Sequence, residues 1–329
     1  MKKDGSYVDI VLGEDKDDPQ FCVTDLLPHL GGEQMKKPAA KIIEGEDLNI
    51  LVGSRPFKSD KGSELVKLNI LKLLNEKYGI TEYDFLSAEL ELVPAFQVTD
   101  IGFDRSMIGG YGHDDRVCAY PALMAVLDQK IPDDTVITIL TDKEETGSDG
   151  NTGLNSDYLR YFVADLAMQE GLEPRHVLSR SACLSADVNA AFDPTFASAY
   201  EANNASFLNN GVVVTKYTGS GGKGGTSDAS AEFMGRIRSL LDKKKVLWQV
   251  GELGKVDGGG GGTVAKYIAN MNVDVVDVAY PCFPCTRPLR WFPKSTYTWP
   301  IARSMNFLRT NQGCFLIKNQ SRGGCWSRS

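Results

Sequence analysis

Two adjacent glutamates close an apolar, β-branched run, Thr135-Val-Ile-Thr-Ile-Leu-Thr-Asp-Lys-Glu-Glu145. The run reads as a buried parallel strand, which sets Glu144 and Glu145 where strand meets loop, the edge at which open α/β sheets place their chemistry. One glutamate could hold a metal ion while its neighbour moves a proton. Asp114 and Asp115 follow a glycine-rich turn, Gly109-Gly-Tyr-Gly-His113, and open an amphipathic segment. Asp187 follows another apolar stretch, in Leu184-Ser-Ala-Asp-Val-Asn189. Together these carboxylates are what an oxygen-rich metal site at the strand ends of one sheet needs. On spacing alone, the reading of such acidic residues as helix caps or solvated surface is favoured over a metal site.

The elements that must position them follow from periodicity. With 329 residues and 42% hydrophobic content the chain can bury a large core and divide into two domains. Residues 1–98 mix short strands at Tyr7–Leu12, Leu48–Val52 and Ala88–Val93 with one helix, whose apolar repeat runs through Leu65, Leu68, Leu71 and Leu74 to Tyr78 and stops at Gly79. From residue 99 strand and helix alternate. Strands are expected at Val136–Leu140, Gly211–Tyr217, Val246–Val250 and Val273–Val278. Helices are expected at Ser156–Glu170 and Asp228–Leu241, the second burying Phe233, Ile237, Leu240 and Leu241. This is an α/β sheet domain flanked by helices. No apolar run approaches membrane-spanning length. Cys22, Cys118 and Cys183 read as unpaired thiols and suit a reducing cytoplasm.

Four motifs stand in one order: Tyr111-Gly-His-Asp-Asp-Arg-Val-Cys-Ala119, Asp142-Lys-Glu-Glu-Thr-Gly-Ser-Asp-Gly-Asn-Thr-Gly153, Ser185-Ala-Asp-Val-Asn-Ala-Ala-Phe-Asp-Pro194 and Gly251-Glu-Leu-Gly-Lys-Val-Asp257 with its glycine run. Over residues 1 to 279 the chain resembles the aspartyl aminopeptidase and aminopeptidase I family of dinuclear zinc exopeptidases. The resemblance implies a zinc-exopeptidase-like sheet flanked by helices, with a smaller β-rich inserted domain that dimerises. It implies that Asp114 bridges two Zn²⁺ ions, that Glu145 binds one and Asp187 the other, and that Glu144 is the general base; Co²⁺ or Mn²⁺ are alternative ions. A water shared by two divalent ions ionises near neutral pH, and a carboxylate within reach can take its proton and deliver it to the leaving amine. The segment Asp25-Leu-Leu-Pro-His-Leu30 resembles one that reaches a neighbouring subunit's active site, which makes His29 a substrate-binding candidate. Peptide substrates, a dimer-based homo-oligomer of up to a dodecamer and a cytoplasmic setting follow from the same resemblance, with no nucleic-acid or membrane partner.

The departures are as specific as the match. The family's metal site also uses two histidines, one in a His-x-Asp segment far upstream of the bridging aspartate and one in a Met-His segment near the C-terminus. This chain has only His29, His113 and His176, none in either context. Met1–Ile10 resembles the interior of the inserted domain, so the first histidine is expected upstream of this start; no signal or transit peptide explains the start. Residues 280–329 hold no Asp or Glu, eight Lys or Arg, four of the seven Cys and three of the four Trp. Composition does not break so sharply within one folded domain. Reading the codons of residues 281–300 from their third base permits a chain resembling the family's C-terminal motif, with the second histidine straddling Cys285 and Thr286. A frameshift just before residue 281 is therefore expected. The division is then 1–98, part of the inserted domain; 99–279, an incomplete catalytic domain; and 280–329, an out-of-frame tail.

Other motifs take plainer readings. Cys282 and Cys285, with Cys314 and Cys325, have irregular spacing for a zinc ribbon. The glycine run Gly258–Gly262 lacks the lysine that a phosphate-binding loop puts before Thr263, and reads as a tight turn. Gly219–Gly225 reads as a mobile loop with Lys223 solvated, His176 as an exposed turn residue, and His113 as a neighbour of the carboxylates rather than a ligand. Against an impaired metallo-aminopeptidase stand two other classes: a non-catalytic subunit or remnant of the same fold, and a protein whose carboxylates hold a structural Ca²⁺ or Mg²⁺.

Overall fold

The computed structural model describes residues 1–58, 61–128, 131, 134–221, 224–261, 264–284, 290–293 and 314–317. Lys223, Thr263, Cys285 and Cys325 lie outside the described residues. The chain divides into two compact units, Met1–Ala95 and Phe96–Ser329.

In the first unit β1 (Cys22–Val23) pairs antiparallel with β2 (Ile50–Leu51). Helix α1 (Leu65–Tyr78) occupies the span its apolar repeat predicts and ends at Gly79, whose φ of 66° is the left-handed cap that favours glycine. Leu65, Leu71, Leu74 and Tyr78 are half-buried, whereas Leu68 is exposed. A 3₁₀ turn at Glu82–Ser87 is fixed by Asp84, whose carboxylate accepts from the Thr81 amide, the Thr81 hydroxyl and the Lys3 amide at 2.7–2.8 Å. Residues 7–12 and 88–93 form no strand, contrary to the alternation in sequence. An alternating segment becomes a strand only where a neighbour accepts its backbone hydrogen bonds, and the short β1–β2 pair does not extend to them.

The second unit opens with β3 (Thr99–Ile101), β4 (Met107–Gly110), α2 (His113–Leu127) and β5 (Thr135–Thr138). Helices α3 (Tyr158–Gln169) and α4 (Pro174–Leu178) lead to β6 (Ala182–Ser185), β7 (Val188–Ala190) and β8 (Val212–Thr215). After β9 (Tyr217–Ser220) and β10 (Gly224–Asp228) come α5 (Ala231–Lys243), β11 (Trp248–Val250), α6 (Ala265–Ala269) and β12 (Asp274–Pro284). Two strands, β13 (Arg290–Pro293) and β14 (Cys314–Ile317), complete the set. No helix among the described residues is long and apolar enough to cross a membrane.

One ten-stranded sheet organises this unit, in the order β3-β4-β13-β12-β6-β14-β5, with β7 and β8 also on β12 and β11 beyond β8. Strand β12 is its axis: parallel to β6 and β7, antiparallel to β8. Its side chains alternate as a two-residue period requires. Val276, Val278 and Tyr280 enter a core with Val117 and Cys118 of α2 and Phe233, Ile237 and Leu241 of α5. Val273, at its N-terminal edge, and Val275 enter a second core with Leu159, Val163 and Ala167 of α3 and Ala265 and Ile268 of α6. Helices therefore cover both faces, as a mixed α/β sheet needs. The helix predicted at Asp228–Leu241 begins later because Ser230 caps it, its hydroxyl accepting from the Phe233 amide at 3.1 Å, and Leu240 is only half-buried.

Two predicted features take a different form. The Thr135 run pairs antiparallel with β14, not in parallel, and its strand stops at Thr138, well before the glutamates. An apolar run cannot specify the direction of its partner. Gly219 and Ser220 on β9 and Gly224 and Gly225 on β10 belong to an antiparallel pair, whose register runs from Gly224 with Ser220 to Asp228 with Tyr217. Its glycines permit the irregular register between Gly224 and Ser227.

Candidate active site

Asp114 and Asp115 sit at the start of α2, where Gly112 in the left-handed region (φ 74°) turns the chain in from β4. Both depart from helical backbone angles, and the peptide bond between them is cis. Glu144 and Glu145 lie on a single 3₁₀ turn, Glu144–Thr146, bounded by Lys143 (φ 62°) and Gly147 (φ 102°). The turn is tied down from both sides: the Ser148 amide donates to the Lys143 carbonyl at 2.7 Å, and the Tyr267 hydroxyl donates to the Gly147 carbonyl at 2.9 Å. Gly153 is required beneath it, because a Cβ there would stand 2.1 Å from the Ser148 carbonyl oxygen. Asp187 lies in the two-residue gap between β6 and β7, with its Oδ1 accepting from the Val188 amide at 2.7 Å.

These carboxylates act on one another. Burial, then the charges of Asp114, Glu144 and Glu145, push Asp115 up to about 7. Burial, then the charges of Asp114, Glu144 and Asp115, raise Asp187 well above the ordinary carboxylate range. Asp115 Oδ2 is buried with no hydrogen-bond partner among the described residues, as is Thr141 Oγ1. Like charges crowded in a low-dielectric place are costly unless a cation lies among them. The donor set, all hard oxygen, suits a divalent ion. Among the described residues no group of three His, Cys, Asp or Glu side chains has the spacing to hold a metal ion as it stands.

Beside Asp187 opens a small cleft of about 50 Å³. Asn189, Thr215 and Asp277 contribute buried polar groups to its wall, and Glu252 and Tyr217 stand half-buried around it. The polar groups are cross-linked: Asn189 Nδ2 donates to Thr215 Oγ1 at 3.3 Å, and Thr215 Oγ1 donates to the Gly251 carbonyl at 2.9 Å. The glycine run is the tight turn its composition predicts, with the Gly260 amide donating to Leu253 at 2.6 Å, and Gly260 and Gly261 line the cleft.

The sequence candidates are thus partly assembled. Asp114, Glu144, Glu145 and Asp187 share one electrostatic neighbourhood in the second unit. His29 is exposed and belongs to the first unit; His176 is exposed on α4. His113 opens α2 next to Asp114 and is half-buried. Sequence reasoning placed Asp115 in the group but gave it no role of its own, and missed the contacts of Cys118 and Asp277. An apolar stretch carrying Asp274 and Asp277, Val273-Asp-Val-Val-Asp-Val278, was the available signal for Asp277.

Comparison with known proteins places this α/β fold and its carboxylate-bearing loops in one class, the metallopeptidases. The family described as aminopeptidase I zinc metalloprotease (M18) matches residues 1–284, and the chain belongs to that family. It is 51% identical over 317 residues to a probable M18 family aminopeptidase 1 of Clostridium acetobutylicum, covering 95% of this chain and 66% of the relative. The crystal structure of aminopeptidase I from C. acetobutylicum superimposes with a TM-score of 0.83 at 45% identity, over 97% of this chain and 68% of that one. That of an M18 family aminopeptidase from Thermotoga maritima gives 0.82 at 39% identity, over 94% and 69%. The chain spans just under two thirds of the length of the C. acetobutylicum sequence and 62% of a Borrelia garinii relative that is 48% identical.

Proposed function

We propose that the chain carries the carboxylate half of a metallo-aminopeptidase centre that removes N-terminal residues from peptides. The observation that supports this most is the mutual electrostatic pressure of Asp114, Asp115, Glu144, Glu145 and Asp187 at one end of the sheet. Asp114 would lie between two ions, with Glu145 on one and Asp187 on the other. Zinc supplies the Lewis acidity that lets water act as a nucleophile near neutral pH; Co²⁺ or Mn²⁺ would serve in the same oxygen-rich setting. Glu144 takes the water's proton on its carboxylate and returns it to the departing amine, the role of a general base that becomes a general acid. The cleft beside Asp187 receives the N-terminal residue, its polar wall holding the chain end while the carboxylates face the scissile bond. His29 adds a substrate contact across a subunit boundary.

The same reading assigns residues 1–98 to assembly, 99–279 to catalysis and 280–329 to an out-of-frame extension with its acid-free composition. The many exposed apolar side chains of the first unit, among them Leu27, Leu30, Leu86 and Leu90, suit burial in a dimer-based homo-oligomer of up to a dodecamer. A cytoplasmic setting accords with Cys22, Cys118, Cys183 and Cys282 standing as thiols outside any disulfide. His29, His113 and His176 do not stand in the family's two imidazole contexts. Carboxylates alone favour harder ions over zinc, so these carboxylates by themselves would hold zinc weakly.

Hydrolysis of a panel of aminoacyl anilides in saturating Zn²⁺ or Co²⁺ tests the reading. Slow turnover is expected from the chain itself, with strong recovery in a form supplied with both imidazole-bearing segments. If that completed form stays inactive on every substrate, the assignment is wrong. The nucleotide sequence around codon 281 tests the reading frame directly.

A further inference from the structure

We propose that Cys118 is a positioning residue that sets the distance between Asp114 and Asp187. Cys118 lies four residues after Asp114 on α2, and its side chain has no exposure. Its thiol donates to the Asp187 carbonyl at 3.2 Å. The Tyr280 amide, on β12, approaches that carbonyl at 3.4 Å and also serves the sulfur. Three elements therefore meet at one sulfur: the helix that carries Asp114 and Asp115, the gap that carries Asp187, and the axial strand of the sheet.

The consequence is geometric. A site made of carboxylates from separate elements works only if their separation is held to a fraction of an ångström. The Asp187 carboxylate is fixed locally by the Val188 amide, which orients it but does not relate it to α2. The thiol supplies that relation. Its size matters as well as its proton, since Cys118 packs among Val117, Leu184, Ala186 and Val276 in the core between α2 and the sheet. Serine keeps the donor with a shorter reach; alanine and valine both remove it, alanine leaving space and valine adding one carbon.

This inference rests on the metal reading above, and its test separates the two. Mn²⁺ binding to the full chain is followed by the loss of the free-ion electron paramagnetic resonance signal, with amide exchange at Val188 measured in parallel. Cys118→Ala and Cys118→Val are expected to lower Mn²⁺ affinity about tenfold, the usual scale for groups that orient a ligand. The same variants should speed Val188 exchange, whereas Cys118→Ser should keep both properties within about threefold. A merely structural role predicts unfolding in step with the loss; cooperative melting retained alongside weakened binding distinguishes positioning from that. Parent-like Mn²⁺ affinity in folded Cys118→Ala and Cys118→Val overturns the inference alone. Failure of the parent to bind Mn²⁺ at millimolar concentration overturns the metal reading and the inference with it. Should both variants fail to fold, alkylation of the parent decides. Mn²⁺ is expected to protect Cys118 and not Cys183, which lies in the opposite core, and equal rates at Cys118 with and without Mn²⁺ overturn the inference.

Discussion

Ser185 donates its hydroxyl to Asp277 Oδ1 at 2.8 Å across the β6–β12 ladder, where the two residues are register partners. Both are buried, and Asp277 also faces the cleft that holds Asp187. Removing the carboxylate leaves a buried hydroxyl without its acceptor. Asp277→Ala is therefore expected to cost about 2–3 kcal/mol in urea denaturation, and Asp277→Asn, which keeps an acceptor oxygen, less than half of that. Equal stability of parent and Asp277→Ala would show that the contact contributes nothing.

Asp115 makes the metal-free chain sensitive to pH. The folded state keeps its proton up to about pH 7, whereas an unfolded aspartate releases it near 3.8. Between those values the folded state binds the extra proton, so stability falls as pH rises through this window and levels off above it. The full loss is about 4 kcal/mol, at about 1.4 kcal/mol per pH unit. Melting of the chelator-treated chain at pH 5 and pH 7.5 should read about 3 kcal/mol of it, the part lost between pH 5 and about pH 7. Asp115→Asn should flatten this component, and a parent more stable at pH 7.5 than at pH 5 would contradict the assignment.

How much of this was legible in sequence depends on what each signal encodes. Helix α1 is written locally, in a 3–4-residue apolar repeat closed by Gly79, and forms over Leu65–Tyr78 as read. Helix α5 is similarly legible because Ser230, Phe233 and Ile237 lie within a few residues of one another. Strand partners are not local. The Thr135 run gives no hint that β14 will lie against it, and residues 7–12 have the alternation of a strand without the neighbour that makes one. The same divide runs through the site. Asp114, Glu144, Glu145 and Asp187 stand in motifs that can be recognised, whereas the roles of Cys118 and Asp277 come from contacts 69 and 92 residues distant.

Two glycines should respond in opposite directions to alanine. A Cβ at Gly153 would lie 2.1 Å from the Ser148 carbonyl oxygen and 2.4 Å from its carbon, backbone atoms that cannot swing away. Gly153→Ala is expected to destabilise the chain by about 1–3 kcal/mol and to displace the loop that supports the Glu144 turn. Gly235 lies inside α5 with nothing within 4 Å of its notional Cβ. Gly235→Ala should stabilise by about 0.5–1 kcal/mol through helix propensity alone. Thermal melts of the pair check both, and a stabilised Gly153→Ala would mean that the loop has other ways to pack.

The two glutamates of the turn can be told apart. Glu144 is half-buried and its charge reaches both Asp115 and Asp187, while Glu145 is exposed and its charge is felt at Asp115. A base must retain metal when neutralised; a ligand must not. In the form supplied with both imidazole-bearing segments, Glu144→Gln is expected to lower kcat by about 10²–10⁴-fold while Co²⁺ affinity stays within about twofold. Glu145→Gln should instead weaken Co²⁺ binding, with much of its activity returning as Co²⁺ is raised. The more central position of Glu144 makes the exchanged assignment the specific rival. Weak Co²⁺ binding in Glu144→Gln together with full occupancy and lost turnover in Glu145→Gln would exchange the two roles, while leaving the carboxylate group itself in place as the reacting centre.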